Sequence, residues 1–384
     1  MIFTSLSSVF FSTHAQNFES LSFGTDNTLD IITWNIEHFP KNGQTTIDYV
    51  TDIIENLDAD IIAIQEVSNT SSFNQMMNNL SDYTGNLESV YFRGLAYIYK
   101  TDVIEINDIH EIYTTSEYWS YFPRNPMVID FNYKGERYVI INNHLKCCGD
   151  GTLNLNNSND EETRRYHASR LLKEYIDTNL SDVNIILVGD LNDSITDDIQ
   201  HNVFRDFIED SNNFIFTDTD IANGSNSNWS FPTWPSHLDH ILITNELFEE
   251  FQNSNSSIEV IKLEDYFTNG WSQYDSNVTD HRPVGLKLYI DSSLSIDDVN
   301  TSTIEFKNYP NPFKSETIFT FNASNTIDKI DIYSITGKKV KTLKVNPNQT
   351  KISWKVNLAS NGIYFAKLIS NNKSVATTKL VVIK

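Results

Sequence analysis

Charge changes sign along this chain of 384 residues. From Ser302 onward there are 13 Lys, no Arg and four acids (Glu305, Glu316, Asp328 and Asp331), a net charge of +9. The 301 residues before it hold 15 basic and 47 acidic groups, a net charge of −32. So sharp a break predicts two folding units. The hydropathy pattern changes at the same place: apolar strand-like runs interleave with helical spacing before it, and only short strands follow it. The expected architecture is a layered α/β sandwich of mixed sheets, a polar linker over 291–303, and a small all-β sandwich over 304–384. Aromatic residues at 12% supply both cores, which excludes a disordered chain. The longest apolar runs fall short of the roughly 18 residues of a spanning helix. The acidic unit repels polyanions at long range, which excludes tight non-specific binding of nucleic acid through a basic surface. Bound cations would reverse that sign locally, and solubility alone also accounts for an acidic surface.

Within the acidic unit, β-branched runs mark strands over 29–34, 60–65, 94–99, 127–131, 138–143, 183–188, 238–244 and 283–290. Asn132-Tyr-Lys-Gly135 is a hairpin signal between two of them. Ile47, Val50, Ile53, Ile54 and Leu57 recur at helical spacing, and a second helix starts near Glu161 with Leu171, Leu172, Tyr175 and Ile176 inward. Beyond the linker, strands are expected over 317–322, 329–333, 338–344, 351–356, 362–370 and 375–383.

Polar groups recur where the apolar runs stop. Asn35 and Glu37 follow one strand, Glu66 ends the next, and Asn143-His144 ends a third. Asp190 and Asn192 end a fourth, Asp239-His240 opens a fifth, and Asp280-His281 precedes the last. Taken singly, each has an ordinary reading; Asp190 in Gly-Asp-Leu-Asn, for example, fits an Asx turn. Together they place acids, two histidines and an arginine at strand ends, where one rim of a layered α/β unit can gather them. Hard oxygen donors suit Mg²⁺, Mn²⁺ or Ca²⁺ rather than zinc. With no Ser or Cys nucleophile beside a base, the set favours metal-assisted attack by water.

The motifs Trp34-Asn-Ile-Glu37, Ile64-Gln-Glu66, Asn143-His-Leu145, Gly189-Asp-Leu-Asn192, Leu238-Asp-His-Ile241 and Thr279-Asp-His-Arg-Pro-Val284 occur in this order. The set resembles the endonuclease/exonuclease/phosphatase superfamily, which includes deoxyribonuclease I. That resemblance implies a four-layer α/β/β/α sandwich over 16–290 with its site at one edge. It implies a metal, Mg²⁺ with Mn²⁺ or Ca²⁺ as substitutes, held by Glu66 with Asn35, Asp280 and Glu37. His281 becomes a base or phosphate-stabilising imidazole oriented by Asp239, Asp190 activates or positions water, and Asn192 holds a phosphate oxygen. His144 resembles a second histidine that protonates the leaving group, and Arg124 resembles a phosphate-binding arginine. The deoxyribonuclease I branch has an acid before the middle strand to pair with that second histidine, whereas Arg93 stands here.

Asn308-Tyr-Pro-Asn-Pro-Phe313, Ile332-Tyr-Ser-Ile-Thr-Gly337, Leu358-Ala-Ser-Asn-Gly-Ile-Tyr364 and the terminal Lys379–Lys384 run are similar to a type IX secretion sorting domain of Bacteroidota. The implied partner is the outer-membrane secretion machinery. At the other end, residues 1–15 carry no charged side chain other than His14 and finish on a small-x-Ala step, as an export signal would; a frayed arm is the other reading. Cys147 and Cys148 are the two cysteines, adjacent in sequence, and fit either a strained vicinal disulfide or two free thiols. The expectation is therefore a secreted or surface phosphodiesterase, a nuclease on extracellular DNA or RNA. The alternative is a phosphatase or sphingomyelinase-type enzyme on a lipid or inositol phosphate.

Overall fold

The computed structural model describes residues 18–87, 93–290, 306–321, 327–335, 338–346, 349–356, 361–370 and 373–383. The proposed export signal and linker lie outside them. The chain divides into two compact units between Ser292 and Ser293.

In the first unit the described residues form two six-stranded mixed sheets. One has the order β11-β12-β1-β2-β4-β3, with β1 Thr28–Phe39, β2 Ile61–Val67, β3 Tyr83–Leu87, β4 Gly94–Lys100, β11 Ser257–Val260 and β12 Val284–Tyr289. The other has the order β5-β6-β7-β8-β10-β9, with β5 Glu105–Glu111, β6 Met127–Tyr133, β7 Glu136–His144, β8 Asn184–Asp190, β9 Phe214–Phe216 and β10 Asp239–Thr244. The sheets pack face to face through Leu29, Ile31, Ile61, Ala63, Tyr97, Ile129, Ile140, Val188, Ile241 and Leu286. Helices α1 (Gln44–Leu57) and α2 (Thr70–Asn79) cover the outer face of the first sheet, where Ile32, Trp34, Ile62 and Ile64 meet Val50, Ile54 and Phe73. Helix α3 (Glu161–Asn179) covers the second sheet, with Leu172 and Ile176 against Val139, Ile141 and Leu187. The result is the four-layer α/β/β/α sandwich, with apolar residues on both strand faces because both faces are covered.

Direction places the chemistry. β1 runs parallel to β2, and β7 parallel to β8, so their C-terminal ends share an edge. β10 and β12 run antiparallel to β8 and β1, so their beginnings come to that same edge.

The second unit has, among its described residues, a three-stranded sheet β13-β14-β17 and a four-stranded sheet β16-β15-β18-β19. Their ranges are β13 Phe306–Tyr309, β14 Glu316–Phe321, β15 Lys329–Ser334, β16 Lys339–Lys344, β17 Lys351–Lys355, β18 Gly362–Ser370 and β19 Lys373–Val382. Phe319, Ile330, Ile332, Trp354, Leu368 and Leu380 form its core. Strand β13 adds to the six strands expected from sequence, its four residues being too short and mixed to signal themselves.

Candidate active site

Strand parity selects the rim residues. On β1, Leu29 and Ile31 face the other sheet, so Thr33 and Asn35 face it too. The same alternation aims His144 of β7, Asp190 of β8 and Asp239 of β10 into the space between the sheets. Register then sets the last three side by side, His144 opposite Asp190 and Asp190 opposite Asp239. Beneath them a polar layer separates site from core: Gln65 Nε2 donates to Asn142 Oδ1 at 2.8 Å, and Asn142 Nδ2 donates to the Ile64 carbonyl at 3.0 Å.

Glu66 reaches the rim by another route. Parity would send it to the α1 layer, but the pairing of β2 shifts register between Ile64 and Val67, and Glu66 takes a left-handed φ of 68°. This bulge turns the carboxylate to the cleft, at a cost of about 1–3 kcal/mol that the surrounding sheet holds. There its Oε2 accepts the His38 N–H at 3.1 Å and Arg93 Nη1 at 3.0 Å. Gly189 is equally constrained: its φ is 143°, and a Cβ would sit 1.9 Å from the Asn143 carbonyl oxygen. Only glycine permits β7 and β8 to close up beside His144 and Asp190.

These elements enclose a cleft of about 690 Å³ lined by Glu37, Glu66, His144, Asp190, Asn192, Asp280 and His281 among others. Asn35 and Asp239 stand directly behind the lining. Asn35 Nδ2 donates to Asp190 Oδ2 at 2.9 Å, and His281 Nδ1 donates to Asp239 Oδ2 at 2.8 Å. His281 Nε2 is thereby left facing Asp190 Oδ2 at 3.8 Å and Asp280 Oδ1 at 3.9 Å. Asp190 Oδ1 accepts the Asn192 N–H at 3.2 Å, so the Asx turn and the rim position coexist in one residue. Asn192 Nδ2 donates to the Leu145 carbonyl at 3.2 Å, and Glu37 pairs with Lys41 while accepting the Asp280 N–H. His144 Nε2 lies 3.3 Å from Asp190 Oδ2, and its Nδ1 is buried without a hydrogen-bond partner.

The electrostatics follow from this packing. Burial opposes charge on His281, yet Asp239 and then Asp190 outweigh it and raise the imidazole to about 10. Burial raises Asp190 and Asp280, with His281 opposing in both cases. His144 is driven well below the usual histidine range by burial and then by Arg124, His281 and Arg93. Burial lowers Arg124 while the nearby Glu66 and Asp190 oppose that shift; the arginine lines a neighbouring cavity rather than this cleft.

Crowded carboxylates of this kind fit a divalent cation. Asp280 Oδ1 and Asp239 Oδ1 are buried without hydrogen-bond partners, and carboxylate and amide oxygens are the hard donors that Mg²⁺, Mn²⁺ and Ca²⁺ take. Asp190, Asp239 and His281 offer donor atoms within 4.8 Å of one another. The His281 Nδ1 is already engaged by Asp239, so in that trio it is not free to hold a cation.

A second cluster went unread in the sequence. Buried Asp218 Oδ2 bonds His237 Nε2 at 2.9 Å and His240 Nδ1 at 2.6 Å, its Oδ1 accepts the Ile241 N–H, and His240 Nε2 donates to the Asp193 carbonyl. His237 Nδ1 accepts the Ser230 N–H, and Ser230 Oγ accepts the N–H groups of Leu238 and Asp239. This knot fixes the start of β10 from behind. The hairpin bearing Phe231 and Trp234 also stands at the cleft: Phe231 lies 4.9 Å from the His281 ring, and Trp234 is 78% exposed. Cys147 and Cys148 carry free thiols, and their loop is held by buried Arg165, which donates to the Lys146 and Cys148 carbonyls at 2.7 Å each.

Residues 32–281 match the Endonuclease/Exonuclease/phosphatase family, and residues 307–384 match the Secretion system C-terminal sorting domain. The sorting domain indicates export to the cell surface or the medium. Among the described residues no helix is long and apolar enough to cross a membrane. One similar solved structure is D. rerio TDP2 complexed with a single strand DNA product, at 13% identity and TM-score 0.52, over 68% of this chain and 99% of that one. A humanized D. rerio TDP2 carrying 14 mutations is similar at 12% identity and TM-score 0.50, over 69% and 100%. A mannosyl-6-phosphatase of Bacteroides thetaiotaomicron VPI-5482 gives 15% identity and TM-score 0.49, over 68% and 100%. At such identities the likeness to the two TDP2 structures is one of fold. No curated protein matches the sequence. By its matched residues the chain belongs to the endonuclease/exonuclease/phosphatase family, as a metal-dependent phosphoric ester hydrolase.

Proposed function

We propose that the first unit hydrolyses phosphodiester bonds of extracellular DNA or RNA, with Mg²⁺ held by Glu66, Asp280, Asn35 and Glu37. The cation, when bound, neutralises charge that develops on the phosphoryl group. The chain's own groups handle protons and orientation. Asp239, fixed on Nδ1, holds the His281 ring so that Nε2–H faces the phosphoryl oxygens and stabilises them as charge builds. Asp190 takes a proton from the water that attacks phosphorus; the P–O ester bond breaks, and the departing oxygen leaves with a proton from solvent. Asn192 fixes a phosphate oxygen. His144, with no acid at Nδ1, serves as a neutral hydrogen-bond donor instead of the leaving-group acid implied by the family resemblance. The second unit is the address read by type IX outer-membrane machinery, after passage through the periplasm.

One observation carries the choice of substrate: the exposed Trp234 beside Phe231 at the mouth of the cleft, a surface on which a base can stack. The net charge of −32 before Ser302 favours the other reading, a small phosphomonoester or a lipid or inositol phosphate. A substrate panel separates them. Purified protein is given supercoiled plasmid, ribosomal RNA, sphingomyelin liposomes and a sugar phosphate, each with Mg²⁺ and with EDTA. Metal-dependent nicking supports the nuclease; EDTA-sensitive turnover confined to the monoester or the lipid replaces it.

A further inference from the structure

Beside the catalytic cleft lies a second cavity of about 720 Å³, and the two share Arg93 and Cys147 as walls. Its lining breaks the charge pattern of its unit. The first 301 residues hold only 15 basic side chains against 47 acids, yet four of those bases, Arg93, Arg124, Lys146 and Arg164, line this one cavity against a single carboxylate, Glu111. Trp119 stands in the same wall and is 61% exposed, an unusual degree for a large apolar ring.

Hydrogen bonds hold three of these cations in place. Arg164 donates through Nε to the Ser120 carbonyl, which ties α3 to the turn that carries Trp119. Lys146 Nζ donates to the Cys147 carbonyl at 2.8 Å, and Arg93 bridges to Glu66 on the catalytic side. Guanidinium and ammonium groups around an aromatic face form the constellation that recognises a phosphate together with the ring it carries.

We infer that this cavity is a subsite for the nucleotide flanking the scissile phosphodiester, with Lys146 and Arg164 on its phosphate and Trp119 against its base. The inference rests on the nucleic-acid reading of the adjoining cleft. It also explains how so acidic a unit would accept a polyanion: through one local cationic surface that continues from the cleft, in place of a basic face.

The test is calorimetric binding of a 5′-phosphorylated thymidine dinucleotide, thymidine monophosphate and inorganic phosphate to the full chain. The same titrations are made on Trp119→Ala and on the double variant Lys146→Ala/Arg164→Ala. Turnover of bis(p-nitrophenyl) phosphate, which has one phosphate and no flanking nucleotide, is measured in parallel. The expected result is dinucleotide binding weakened at least 10-fold in the double variant and about 5-fold in Trp119→Ala, with turnover of the small diester unchanged. Equal dinucleotide affinity in all three proteins overturns the subsite. So does loss that is the same for inorganic phosphate as for the dinucleotide, which would leave an anion site without a base. Should the wild type fail to nick plasmid while the variants still lose the dinucleotide, the subsite stands and the nuclease reading falls.

Discussion

Two carboxylate–histidine pairs sit on opposite faces of one strand. Asp239 and His240 are consecutive on β10, so Asp239 faces the cleft and bonds His281, while His240 faces the α3 layer and bonds Asp218. The partners are chemically alike, and both pairs are buried. They differ in what is left over. Around Asp218 every ring nitrogen and both carboxylate oxygens are engaged within the protein. At the rim, Asp239 Oδ1 lacks a hydrogen-bond partner, and His281 Nε2 looks onto two carboxylates at 3.8 and 3.9 Å. A saturated pair is a rivet and an unsaturated one is a tool, which is the physical content behind placing the chemistry at one and stability at the other.

Substitutions should separate the two. Asp239→Asn removes the charge that holds the His281 ring and should lower kcat by about 10³- to 10⁴-fold. His281→Ala should fall as far, both with a thermal midpoint near that of wild type; steady-state rates beside a melting curve check this. Asp218→Asn should do the reverse, costing about 3 kcal/mol of stability by stranding His240, while the folded enzyme keeps most of its kcat in denaturant-titrated samples.

The Asp218 loss should also depend on pH. His240 is held above its ordinary value of 6.5, by Asp218 against burial, so its contribution is complete below about 6.5 and fades as pH rises through the folded value. Asp218 is held below 3.8, by His240 and His237 against burial, so its contribution is complete above 3.8 and fades as pH falls. The stability gap between wild type and Asp218→Asn should therefore be widest between pH 4 and 6.5 and narrow toward alkaline pH in urea titrations. Gly189→Ala should cost roughly 2 kcal/mol or more, because the added Cβ meets the Asn143 carbonyl at a left-handed φ, and should lower activity by parting His144 from Asp190. The smallest effect belongs to Trp234→Ala, an increase in KM for an oligonucleotide of about 5- to 10-fold with kcat nearly unchanged.

The rim was legible in the sequence where period two governs it. Asn35, His144, Asp190 and Asp239 are polar residues at inward positions where the apolar runs stop, so the alternation of the strands gives their direction. Glu66 was legible as a strand-end acid, but its direction was not, since a bulge and a left-handed backbone set it. Arg93 looked merely like a missing acid; its salt bridge to Glu66 needs the fold to bring β2 and β4 together. The Asp218 knot joins residues about twenty apart through two turns, which no local pattern announces. Among elements, β5 and α2 escaped notice for a common reason: β5 is an edge strand with no buried residue, and α2 buries only Phe73 and Met76, so neither carries a strong apolar period.

The most direct test of a metal-dependent phosphodiesterase centred on this rim is single-turnover nicking of supercoiled plasmid in Mg²⁺ by wild type and by Glu66→Ala, with circular dichroism to match their folds. Nicking by the wild type that EDTA stops, and that the variant lacks by at least about 10³-fold while folding normally, is the predicted result. Equal nicking by the two folded proteins would contradict the account.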